Sequence, residues 1–210
     1  MRDFPIFETQ FGVASLILRD VPYWQKAYIK VLSSLEPEKL LKECVDFCKM
    51  VGADDIFVSG DRYAEQYPRY ATLVKMEVKR TTLPPTNARA VKVTEDTFAD
   101  WKRIYNDKMK QVPNASHMDD SQSKELTESG YYIYEGDRLL GIGKAKDATI
   151  EAVASVCPGR GRDAVCALAE VLNTDTISLL VARENVRAYS LYQRLGFAVT
   201  EEVSIWHQIL

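Results

Sequence analysis

The segment Ile177–Val199 reads ISLLVARENVRAYSLYQRLGFAV. Its opening, Ile177–Ala182, is the short apolar run of a buried strand. Asn185 stands where a helix begins, and there its side-chain oxygen can hold a free backbone N–H. From Val186 to Leu195 the apolar and aromatic side chains suit a short helix, and Gly196 supplies its stop. Phe197–Ile205 follows as a last strand. Strand, helix and strand in close succession predict an α/β architecture.

Upstream, Ala90–Val93 reads as a strand and Thr94 as the cap of a helix reaching about Asp107 or Met109. Gln111–Glu125 is polar and irregular. Tyr131–Tyr134 and Leu139–Lys144, joined by Glu135-Gly136-Asp137-Arg138, predict a β-hairpin. Ile150–Val156 is a further strand and Asp163–Leu172 a helix. The order β-α-ββ-β-α-β-α-β over residues 88–210 describes a mixed sheet flanked by helices, an α+β mixed-sheet form of the α/β class. Residues 1–80 hold a shorter series: strand Val13–Leu18, helix Pro37–Val51 stopped by Gly52, and strands Ile56–Val58 and Leu73–Val78. The polar, proline-bearing stretch 81–87 is expected to link the two pieces.

Composition narrows the function classes. The 210 residues carry a net charge of −3, so no global basic field attracts nucleic acid or anionic lipid. No apolar run approaches the roughly 18 residues of a membrane span, and MRDFPIFETQ has no secretory apolar stretch. A cytoplasmic protein is expected. Its four cysteines are too sparse for a disulfide framework. Cys44 and Cys48 share a helical face and are expected as buried thiols. With His117 and His207 isolated, no metal is expected.

The strand, Asn185, Tyr192 and the Leu195-Gly196-Phe197 ending resemble the acetyl-CoA signature of the GNAT superfamily of N-acetyltransferases. The resemblance covers residues 88–207 as a GNAT-like acyltransferase fold. It implies that residues 1–80 are a partial, degenerate GNAT-like piece, an echo of topology rather than of residues. It also implies a phosphate loop at Cys157-Pro158-Gly159-Arg160-Gly161-Arg162-Asp163-Ala164. In the family that loop runs Gln or Arg, two residues, Gly, one residue, then Gly or Ala. Arg160 fits the first position, but Asp163 and Val165 fall where the two small residues belong. An Asp at a helix start caps the N–H groups that a phosphate would use, and repels the phosphate. Arg160 and Arg162 oppose that effect, and Gly159 and Gly161 keep the turn compact; a plain strand-to-helix turn is the other reading.

The remaining implied positions follow from the same resemblance. Asn185 would bond the pantetheine arm, or serve only as a helix cap. Tyr192, two turns further along, would be the general acid for the thiolate, with Tyr189 the alternate donor facing the same cofactor. Packing on the core is the other role open to Tyr192. Glu151 would be the base if half-buried, and a surface carboxylate otherwise. The backbone of Val156 would meet the thioester and pantetheine. The acidic segment His117–Glu125 would receive the acceptor, or be solvated surface. The expected function is transfer of an acetyl group from acetyl-CoA to a primary amine of a small molecule or peptide by direct attack, in a monomer or homodimer. The alternative is a catalytically inactive binding or regulatory module with a degenerate phosphate loop.

Overall fold

The computed structural model describes residues 5–210. The expectation about the N-terminal stretch falls in part on residues 1–4, outside the described residues. The chain opens with β1 (Ile6–Thr9), β2 (Gly12–Ile17), α1 (Val21–Trp24), β3 (Lys26–Ser34), α2 (Pro37–Met50), β4 (Asp55–Ser59) and β5 (Arg69–Lys79). It continues through β6 (Arg89–Lys92), α3 (Phe98–Met109), α4 (Ser123–Ser129), β7 (Gly130–Glu135), β8 (Arg138–Lys146) and β9 (Thr149–Ser155). It closes with α5 (Gly161–Glu170), β10 (Thr176–Ala182), α6 (Val186–Arg194) and β11 (Ala198–Gln208). Two units result: Met1–Leu73 with Val203–Leu210, and Val74–Glu202.

In the first unit the strand order is β1-β2-β3-β4, with the end of β11 beside β4. β3 and β4 run parallel and register from Lys26 opposite Asp55 to Lys30 opposite Ser59. Pro at the first turn of α2 suits a helix start, because no N–H is needed there. Its stripe of Leu40, Leu41, Cys44 and Cys48 is buried with Leu16, Ile29, Ile56 and Val58. Burial pushes the Cys44 and Cys48 thiols up to about 12 and about 11, so both stay protonated packing groups. A second cluster stacks Tyr28 on Phe57, with Trp206 edge-on to Tyr28.

In the second unit the order is β5-β10-β9-β8-β7-β6, antiparallel from β9 to β6 and parallel between β9 and β10. Every residue of α5 from Ala164 to Ala169 is buried. A helix apolar all round belongs in a core, and α5 packs on β8 and β9. Residues 81–87 fall inside this unit: Leu83 packs on its core and Thr86 bonds both the Ala88 N–H and Asp163.

Several elements depart from expectation. The helix expected from Thr94 starts at Phe98, because Thr94 and Thr97 close a turn on each other first. β3 goes unread in the sequence because its charges interrupt the alternation of KAYIKVLSS. The polar stretch 111–125 runs into a 3-10 turn, Asp120–Gln122, and then α4. No described helix is long and apolar enough to cross a membrane.

Candidate active site

The parallel pair β9–β10 is the structural centre of the site. Ser178 registers with Thr149 and Leu179 with Ile150, and among the described residues the pairing goes no further. Beyond those two pairs, toward their carboxyl ends, the two strands are not registered with one another. β9 stays bonded along its other side to β8, from Lys146 opposite Thr149 to Gly141 opposite Ser155. The Val156 N–H donates to the Leu140 carbonyl on β8 at 2.8 Å. Strand alternation therefore turns the backbone groups of Val153 and Ser155 toward the opening. The Val156 N–H, expected to meet the thioester and pantetheine, is engaged on the far side with β8.

Five residues, Val156 to Arg160, separate β9 from α5. Gly159 adopts φ +81°, the left-handed region open to glycine. A Cβ on Gly161 would lie 2.9 Å from the Leu191 Cδ2 of α6, so the start of α5 sits close against α6. No side chain caps α5. Asp163 is its third residue, not its cap, and its carboxylate is turned to Arg160. The Arg160 Nε donates to Asp163 Oδ2 at 2.7 Å, and a terminal nitrogen donates to Glu135 at 2.5 Å. The expected competition thus takes another form: Asp163 leaves the amides alone and engages the guanidinium. Arg162 is exposed and Ala164 buried.

Asn185 caps α6, accepting the Ala188 N–H at 3.3 Å. Tyr192 is buried in the core of this unit, its ring 5.7 Å from that of Phe197. Burial pushes its phenol up to about 12. Tyr189 is half-buried beside the same core. Glu151 is not held in an apolar setting: its side chain is 37% exposed and lies 2.7 Å from the Lys144 ammonium.

Sequence reasoning missed Lys144. It is 7% exposed on β8 and bridges Glu151 on β9 and Glu125 on α4, the latter at 2.6 Å. A lysine at a core-facing position between strands was the available signal, but its partners lie 19 and 7 residues away in opposite directions. The acidic segment His117–Glu125 is likewise committed inside the unit. Asp119 accepts the Ser121 N–H, Asp120 pairs with Lys102, and Glu125 pairs with Lys144. Among the described residues no three His, Cys, Asp or Glu side chains converge as metal ligands.

No protein-family model matches the chain, and no curated protein matches its sequence. Solved structures do match its fold. A functionally unknown conserved protein from Staphylococcus epidermidis aligns at TM-score 0.61 and 13% identity, over 98% of this chain and 93% of that one. A GCN5-related N-acetyltransferase from Anabaena variabilis gives TM-score 0.61 at 9% identity, over 93% of this chain and 59% of that one. Another from Kribbella flavida gives 0.53 at 9% identity, over 94% and 56%. The chain has a GNAT-like acetyltransferase fold, a mixed α/β arrangement.

Proposed function

We propose that the chain is an acyl-CoA-dependent N-acetyltransferase acting on a primary amine. The observation that carries this reading is the early parting of β9 and β10. Backbone N–H and C=O groups that lose their ladder partners need others, and an extended arm with two amides, as in pantetheine, supplies them. The uncapped start of α5 offers free N–H groups and a favourable dipole to a pyrophosphate. Arg162 adds a cation, while Arg160 would have to exchange a carboxylate for a phosphate oxygen.

In the reaction, the amine nitrogen attacks the thioester carbonyl carbon, a C–N bond forms and the C–S bond breaks. The amine loses a proton and the sulfur gains one. Tyr192 is our candidate donor. A phenol near 12 holds its proton more tightly than a thiol near 8.5. Its role is therefore a hydrogen bond to the departing sulfur, which leaves as a thiolate and takes its proton from solvent. Glu151, carrying the Lys144 ammonium, is the candidate proton acceptor. The strand–helix–parallel strand order of the first unit supports reading it as a partial copy of the same plan.

A second reading, a binding module without turnover, is favoured by one observation: Arg160 is already satisfied by Asp163 and Glu135. Calorimetric titration with acetyl-CoA decides between competence and closure, followed by an amine screen with thiol detection. Saturable heat with thiol release supports the enzyme. Saturable heat without release from any amine moves the reading to the module. No heat at millimolar acetyl-CoA rejects cofactor binding.

A further inference from the structure

The first unit holds a cavity of about 750 Å³ at the carboxyl end of β4, beside the middle of β3. That volume lies within the roughly 300–1,000 Å³ of small-molecule sites, and strand carboxyl ends are where α/β sheets bind ligands. Lys30 and Ser59, the last registered pair of β3 and β4, line it. The turn after β4 and the end of β11 complete the lining.

Its chemistry is specific. Lys30, Arg62 and Arg69 line it, all exposed and without an ion-pair partner among the described residues. Asp61 and Glu65 also line it, but the Asp61 carboxylate accepts the Tyr63 N–H at 2.7 Å and so closes its own turn. His207 reaches the cavity from β11 and is 5% exposed. Its Nδ1 lies 2.6 Å from the Ala64 carbonyl oxygen. A carbonyl can only accept, so Nδ1 carries the proton and Nε2 is left as a lone-pair acceptor. Burial, and then the Arg69 charge, hold the imidazole below its ordinary range, which keeps it neutral near pH 7.

We infer that this cavity binds a small hydroxy-carboxylate, its carboxylate held by Lys30, Arg62 and Arg69 and its hydroxyl donated to Nε2 of His207. Three cations against two carboxylates leave one net positive charge in the lining. That balance suits a monoanion, and Asp61 and Glu65 repel a phosphate dianion. The site lies wholly in the first unit and stands independently of the acyltransfer reading.

The chain contains two histidines, so imidazole nitrogen resonances report the site directly. The full-length protein, labelled at histidine, is titrated with D-gluconate, glycerate, glucose and glucose 6-phosphate. The expected result is a saturable shift of the His207 Nε2 resonance with gluconate or glycerate in the millimolar range, with His117 unmoved. Glucose, lacking the charge, leaves both unmoved. Arg62→Gln and Arg69→Gln, both at exposed positions, each weaken the midpoint about tenfold. An equal response to glucose, tighter binding of glucose 6-phosphate, or no shift with either carboxylate overturns the assignment. So does binding that both arginine variants leave unchanged.

Discussion

The two parallel strand pairs of this molecule are built in the same order and end differently. β3, α2 and β4 run strand, helix, strand, as do β9, α5 and β10. The first pair registers over five residue pairs, to the last residue of β4. The second registers over two. In the first, two residues separate strand from helix, Leu35 and Glu36, and both N–H groups are tied to the Phe11 carbonyl. In the second, five residues intervene, one of them Gly159, and a second glycine, Gly161, opens the helix. A short, tethered connection starts the helix beside the strand end, while a longer loop carries the helix start past it. The difference separates a pair that stabilises from a pair that can receive.

The largest expected effect tests the comparison directly. Hydrogen exchange at Val153 and Ser155 should outpace exchange at Ile29 and Phe57 by more than about a thousandfold, equivalent to roughly 4 kcal/mol of opening free energy. Acetyl-CoA should slow the first two amides and leave the others alone. Equal protection in both pairs would break the contrast.

Next in size is an attempt to spoil the closed pair. Gly60 has φ +98°, and a Cβ there would lie 2.3 Å from the Val31 carbonyl oxygen. Gly60→Ala should destabilise the first unit by about 2–3 kcal/mol in a urea melt. Tyr192→Phe sharpens the open pair instead. Turnover should fall roughly tenfold to a hundredfold with acetyl-CoA affinity unchanged, since a hydrogen bond to a developing charge is worth about 1.5–3 kcal/mol. A smaller change is expected from Asp163→Asn. Weakening the hold on Arg160 should tighten acetyl-CoA binding about threefold by calorimetry, the size of a partly exposed ion pair.

The smallest effect concerns the closed pair's neighbour, His207. Its folded pKa is lowered by burial first and by Arg69 second. The unfolded chain then binds a proton that the folded chain refuses, so stability falls as pH drops below about 6.5, until the folded pKa is passed. Urea midpoints at about pH 7.5 and about pH 5 measure it, and Arg69→Gln should shrink the loss.

Local chemistry was legible in the sequence where it depends on neighbours in the chain. Pro37, the stripe ending at Cys48, the cap at Asn185 and the hairpin around Gly136 all follow from spacing and residue type. Strand pairing did not follow, because register is set by a partner far along the chain. Nothing in Ile150–Ser155 alone says that β10 will leave it after two residues. The role of Asp163 changed for a related reason. α5 begins two residues earlier than the charge pattern suggested, and that shift turned a cap into a partner for Arg160. The pairing of Lys144 was invisible because β7–β9 and α4 must all be assembled before its two carboxylates meet.

The last eight residues, Val203–Leu210, belong to the unit that begins the chain. During synthesis, the first 73 residues must therefore wait for 129 others before their own sheet is finished. At roughly 5–20 residues per second this delay is on the order of ten seconds. Through that interval β4 lacks the strand that brings His207 opposite Val58. An unpaired strand edge is a template for foreign pairing, so the nascent first unit is the part of this protein with most to gain from a chaperone.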